Sequence, residues 1–214
     1  MGDRVGDNAG MTPKRRRSPA VAPPGVLRII AGQWRGRRMR LPAEAALRPT
    51  PERVRETLFN WLAPRLPGAR CLDVFAGSGA LGLEALSRGA ATCLFLERSR
   101  TSARALRATL AVLAAEGAQV LEADAIAWLE RATGRFDVIF LDPPFDSPLL
   151  EQALALIEQR DLLAPAGRMY IEWPAGRPPA LSARLAWLRE GRAGQVGFGL
   201  VGVKDVADSR TIPA

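Results

Sequence analysis

Between Arg70 and Trp173, short uninterrupted apolar runs alternate with amphipathic stretches, and no other feature of the 214-residue chain constrains its fold as tightly. The apolar runs predict strands at Cys71–Phe75, Thr92–Leu96, Gln119–Leu121, Phe136–Leu141 and Arg168–Trp173. Helical spacing predicts helices over Leu81–Arg88, Thr101–Ala115, Ala125–Arg131 and Leu149–Gln159. Strands that are apolar on both faces and separated by helices imply a parallel sheet covered on both sides. The C-terminal runs Leu185–Leu188 and Gln195–Val203 have no long helix between them, so an antiparallel pair is expected at one edge. The expected class is α/β, with a mostly parallel seven-stranded sheet.

Upstream, Leu27–Trp34 and Arg37–Leu41 flank Arg35-Gly36, which suggests a β-hairpin carrying five arginines. Thr50-Pro51-Glu52 reads as a helix start, with Thr50 as N-cap and Pro51 in the first turn. Val54, Leu58 and Trp61 continue it at helical spacing, and Pro64 and Pro67 close it. The division expected is a disordered tail over 1–26, a basic hairpin and helix over 27–66, a catalytic domain over 67–207, and a tail over 208–214.

Charge is informative through its placement. Residues 1–62 hold 13 Lys/Arg against 5 Asp/Glu, a net of +8, whereas residues 63–214 hold 17 of each. A basic extension on an electrically neutral domain suits a polyanion partner, with Arg28, Arg35, Arg37, Arg38, Arg40, Arg48, Arg53 and Arg55 as candidate RNA contacts. The chain has no histidine, so any chemistry must run on carboxylates, hydroxyls, backbone groups or a cofactor. Cys71 and Cys93 sit in strand-like runs and read as small buried hydrophobes, and no metal is expected. No apolar run reaches the roughly 18 residues of a membrane span, and prolines interrupt the segment after Lys14–Arg17 where a signal peptide would need an apolar core. The expected location is the cytoplasm.

The chemistry-bearing residues fall at successive strand ends. The first strand runs into Asp73-Val-Phe-Ala-Gly77-Ser-Gly79-Ala-Leu-Gly82, whose glycines let backbone approach a ligand ahead of a helix N-terminus. The second ends at Glu97, where a carboxylate can hold ribose hydroxyls, and the third at Glu122-Ala123-Asp124. After the fourth comes Asp142-Pro143-Pro144-Phe145. An exocyclic base amine is a poor nucleophile because its lone pair is delocalised into the ring. A carboxylate and a backbone carbonyl can accept its two hydrogens and aim that lone pair at a methyl donor, while an adjacent aromatic ring stacks on the base. The two prolines make the loop rigid.

The Asp73–Gly82 block resembles motif I of class I methyltransferases, and Asp142–Phe145 resembles their (Asp/Asn/Ser)-Pro-Pro-(Tyr/Phe) motif for amino-group methylation. Arg28–Gly36 together with Arg48–Trp61 is similar to the bacterial small-subunit rRNA methyltransferase D family, a likeness that extends over about residues 27–203. The resemblance implies a Rossmann-like fold and transfer of methyl from S-adenosylmethionine to N2 of a guanine in 16S rRNA, without a metal. It implies that Asp73, Gly77 and Gly79 line the methionine part of the cofactor and Glu97 holds the ribose. Asp124, with Ala125 beside it, would face the adenine, and Thr50 would help hold the cofactor carboxylate. Asp142 and the Pro143 carbonyl, in the loop that Pro144 stiffens, would hold guanine N2, with Phe145 stacked on the ring. The expected partner is 16S rRNA, free or within a 30S subunit, and the expected state a monomer. Adenine-N6 methylation of DNA or RNA, or glutamine methylation of protein, would use the same loop. A nicotinamide-dependent oxidoreductase and an inactive RNA-binding assembly factor are the remaining readings.

Overall fold

The computed structural model describes residues 25–41 and 50–204. The sequence-based expectations for the tails at 1–24 and 205–214, and for Arg48, lie outside these residues.

Among the described residues, nine strands and five α-helices follow in chain order: β1 (Val26–Arg28), β2 (Arg38–Arg40), α1 (Glu52–Leu62), β3 (Arg70–Asp73), α2 (Ala80–Ser87), β4 (Thr92–Glu97), α3 (Arg100–Val112), β5 (Ala118–Glu122), α4 (Ala125–Leu129), β6 (Phe136–Leu141), α5 (Leu149–Gln159), β7 (Leu163–Pro174), β8 (Leu185–Ala193) and β9 (Val196–Val203). Seven strands form one sheet in the order β5-β4-β3-β6-β7-β9-β8. The first five are parallel; β9 runs antiparallel between β7 and the edge strand β8. Each α/β crossover carries the chain outward from β3 to β5 and then back across to β6. The winding therefore reverses between β3 and β6, the place where open α/β sheets leave a crevice at their carboxyl ends.

Two apolar clusters cover the two faces of the sheet. One includes Cys71, Phe95, Val138, Phe140 and Tyr170 with α1, α2 and α3; the other includes Leu72, Leu96, Ile139, Leu141 and Ile171 with α5. Successive residues of β3 and β6 thus alternate between clusters, which is why those strands read as unbroken apolar runs. Both cysteines are buried free thiols. Among the described residues no helix is long and apolar enough to cross a membrane.

The N-terminal hairpin differs from its expected form. Its strands are three residues each, Val26 pairs with Arg40, and Gly25 and Val26, counted with the tail from sequence, take part in it. Residues 30–34 leave the ladder because α2 competes for their backbone groups. The carboxylate of Glu84 accepts the Ile30 and Ala31 amides at 2.8 and 3.0 Å, and Ser87 takes the Gln33 and Trp34 amides on its carbonyl and hydroxyl oxygens. Gly32 is required at this crossing: its φ is +83° and a Cβ would stand 1.8 Å from the Ser87 carbonyl oxygen. Leu27, Ile29, Trp34, Met39 and Leu41 then pack into the same cluster as α1 and α2.

Candidate active site

The carboxyl ends of β3, β4, β5 and β6 open onto a crevice of about 840 Å³. Thr50, Asp73, Gly77, Glu97, Asp124, Ala125, Asp142, Pro143, Pro144 and Phe145 all line it, so ten of the eleven residues expected to bind cofactor or act on the base are brought together. Gly79 is the exception. It is buried with φ +74° at the start of α2, and a Cβ there would meet Leu106 at 2.5 Å, so its service is the turn and helix packing. Gly77, with φ +50° and open space where a Cβ would point, is the glycine that exposes backbone to the crevice.

Each acid is held by the loop that carries it. Asp73 Oδ2 accepts the Gly82 amide at 3.1 Å, filling an anion position in the first turn of α2. Burial pushes its carboxyl up to about 7, the amide working against that shift and the charges of Asp142 and Glu97 adding to it. Glu97 accepts the Gly77 amide at 2.8 Å and the Ser99 amide at 2.6 Å, tying the glycine loop to the end of β4. Asp124 caps α4 by accepting the Ala127 amide at 2.9 Å and remains exposed.

Thr50 is not the expected N-cap. The helix begins one residue later, Pro51 stands at the cap, and no side chain caps α1. The Thr50 hydroxyl turns instead into the crevice, 3.2 Å from Asp142 Oδ2 and 3.0 Å from Glu172 Oε1. Glu172, on β7, is 3% exposed and accepts the buried Tyr170 hydroxyl at 2.7 Å. Burial raises both the Asp142 and the Glu172 carboxyls, and for Glu172 the neighbouring Asp142 charge adds to the effect. Sequence reasoning missed Glu172. A carboxylate inside an otherwise apolar run, Met169-Tyr-Ile-Glu-Trp173, was the signal available for it.

Among the described residues the lining holds six acids, Asp73, Glu97, Asp124, Asp142, Asp146 and Glu172, against one base, Arg98. That balance, with Asp73 already at the α2 amide, disfavours a pyrophosphate and favours a ligand bearing cationic and hydroxyl groups. S-adenosylmethionine, with its sulfonium, ammonium and ribose hydroxyls, fits this donor set, and the nicotinamide dinucleotides do not.

The family whose description is Conserved hypothetical protein 95 matches residues 27–201. The Ribosomal RNA small subunit methyltransferase D of Escherichia coli K12 is 46% identical over 177 residues, covering 82% of this chain and 89% of that one. The chain belongs to the ribosomal RNA small subunit methyltransferase D family. A Haemophilus influenzae protein of the same name is 42% identical over 180 residues, covering 82% of this chain and 93% of that protein. Among solved structures, the Escherichia coli protein yhhF, described as a methyltransferase, superposes with a TM-score of 0.78 at 45% identity over 84% of this chain and 99% of that one. The fold is thus the Rossmann-like methyltransferase fold, and the β1–β2 hairpin lies inside the stretch that matches the methyltransferase D family.

The arginines divide. Arg28, Arg35, Arg37, Arg38, Arg40 and Arg53 are exposed, with Arg28 in an ion pair with Glu52 at 3.2 Å. Arg55, expected among the RNA contacts, is only 3% exposed and is withdrawn from that set. Its guanidinium donates to the Arg28 carbonyl at 3.0 Å and lies 3.7 Å from Glu84, so it braces the hairpin against α2.

Proposed function

We propose that this protein transfers a methyl group from S-adenosylmethionine to the exocyclic N2 of a guanine in 16S rRNA. One observation carries the reading: Asp142-Pro143-Pro144-Phe145 and the Gly77 loop, at the adjacent carboxyl ends of β6 and β3, line one crevice. Family membership supports rRNA as the substrate, and the guanine follows from the likeness of Arg28–Gly36 and Arg48–Trp61 to that family.

When bound, the sulfonium cofactor supplies an already activated methyl group. Asp73 and the Gly77 backbone hold its methionine part, Glu97 its ribose and Asp124 its adenine amine, with Ala125 alongside and Thr50 near the carboxylate end. Asp142 and the Pro143 carbonyl accept the two hydrogens of guanine N2, which orients the lone pair for in-line attack. Ser147 donates to the Pro144 carbonyl at 2.5 Å and steadies that loop. Phe145, half-buried at the rim, stacks on the base. The target guanine must leave its stack to reach Asp142, so an unpaired or loop nucleotide is the expected substrate. Arg28, Arg35, Arg37, Arg38 and Arg53 contact the RNA backbone, and Arg48 is assigned the same role from sequence.

Incubation with unmethylated 16S rRNA, free and as 30S particles, followed by mass spectrometry of nucleosides, tests the proposal. N2-methylguanosine is expected. N6-methyladenosine would replace guanine by adenine as the target, and no labelled methyl in either RNA would remove the activity altogether.

A further inference from the structure

The Thr50 hydroxyl has one hydrogen, yet its oxygen lies within hydrogen-bond distance of two carboxyl groups, at 3.0 Å from Glu172 and 3.2 Å from Asp142. Both contacts can be hydrogen bonds only if one carboxyl is protonated and donates to Thr50. Depth decides which. Both acids line the crevice, but Glu172 is 3% exposed whereas Asp142 is half-buried, and the more buried carboxyl is the one that stays neutral. The arrangement is then directional: Tyr170 donates to Glu172 Oε1, Glu172 to Thr50 and Thr50 to Asp142, with the two carboxyls also within hydrogen-bonding reach of each other. Among the described residues, the charged or titratable groups acting on Glu172 are Asp142 and Tyr170, with no cation, and its partner across the sheet on β9 is Phe198.

Resting on the methyl-transfer reading above, we propose that Glu172 is a positioning residue that retains one proton and, through Thr50, keeps the Asp142 carboxylate ionised and aimed at the substrate amine. The balance of the step fits this role. The amine nitrogen forms a bond to the methyl carbon, the carbon–sulfur bond breaks with its electron pair left on sulfur, and the displaced N–H proton passes to Asp142. The pair then holds two protons, and one leaves through the crevice to water. If Glu172 were ionised beforehand, a buried and a half-buried carboxylate would face one hydroxyl hydrogen, and Asp142 would lose its fixed orientation.

Two variants separate this role from mere packing. With its amide nitrogen in the place of Oε1, Gln at 172 can donate to both the Thr50 and the Tyr170 hydroxyl oxygens but cannot ionise. Glu172→Ala is expected to lower kcat on 16S rRNA by about a hundredfold, and Glu172→Gln to recover at least about tenfold of that loss. The wild-type rate should fall as pH rises past the raised Glu172 value, and Glu172→Gln should lose that alkaline fall. Melting of the ligand-free protein gives an independent reading. A carboxyl raised by folding binds its proton more tightly in the folded state, so its contribution to stability declines from the ordinary glutamate range up to its raised value. The melting temperature of Glu172→Gln relative to wild type should therefore rise as pH increases. A Gln variant as inactive as Ala, an alkaline limb that persists in it, or a pH-independent melting difference would each overturn the proposal. Wild-type protein without transfer to any rRNA would instead overturn the function proposed above, and the melting comparison would still decide the retained proton.

Discussion

Asp142, half-buried, and Asp73, buried, are acids of one crevice, yet their neighbours give them different tasks. Asp142 meets the hydroxyl of Thr50 and opens toward the Pro143-Pro144-Phe145 loop; Asp73 closes the first turn of α2 through Gly82. Replacing Asp142 by Ala removes an acceptor that matters only while the amine loses its hydrogen. Labelled-methyl transfer should drop by about 10²–10³-fold with S-adenosylmethionine affinity nearly unchanged. For Asp73 the expected signature is in binding. Its carboxyl is raised to about 7, and a cationic ligand favours the ionised form. S-adenosylmethionine should thus bind more weakly as pH falls below about 7, and binding there should expel a proton. Calorimetry in two buffers of different ionisation enthalpy reads that proton directly, and a pH-independent affinity would remove Asp73 from the ligand's surroundings.

At the scale of elements, the hairpin and α2 act as one unit because Glu84, wholly buried, is shared by both. Its carboxylate takes two hairpin amides and pairs with Arg88 at 2.8 Å and Arg55 at 3.7 Å. Glu84→Ala would strand the buried Arg55 guanidinium, the half-buried Arg88 and two amides, and the loss should be about 3 kcal/mol or more in denaturant unfolding. The arginines on the opposite, exposed side of the hairpin carry no such structural duty. Neutralising Arg35, Arg37 and Arg38 together should leave stability and cofactor affinity almost unaltered. RNA binding in that triple variant should weaken, with a slope of log K against log salt smaller by about 2–3. An unchanged slope would move the RNA interface elsewhere.

For the whole molecule, the sheet order places a crevice, lined among the described residues by six acids and one base, where the winding reverses. S-adenosylhomocysteine at about a hundred times its dissociation constant should add about 2.7 kcal/mol and raise the melting temperature by roughly 5–10 °C. NADH, whose pyrophosphate meets acids and no anion site, should leave it unmoved. A comparable shift with NADH would reopen the oxidoreductase reading.

The linear chain determined the alternation of strands and helices, the antiparallel edge and the positions of its strand-end motifs, because local apolar period and turn chemistry are short-range properties. It also placed Asp142–Phe145 beside the glycine loop in kind, through likeness to known motifs. It did not disclose Glu172, Glu84 or the burial of Arg55, nor that Thr50 turns inward instead of capping its helix. Those depend on partners 27 to 122 residues away. Only tertiary packing decides whether a polar side chain is withdrawn from water, and withdrawal is what makes a shared proton or a buried ion pair possible.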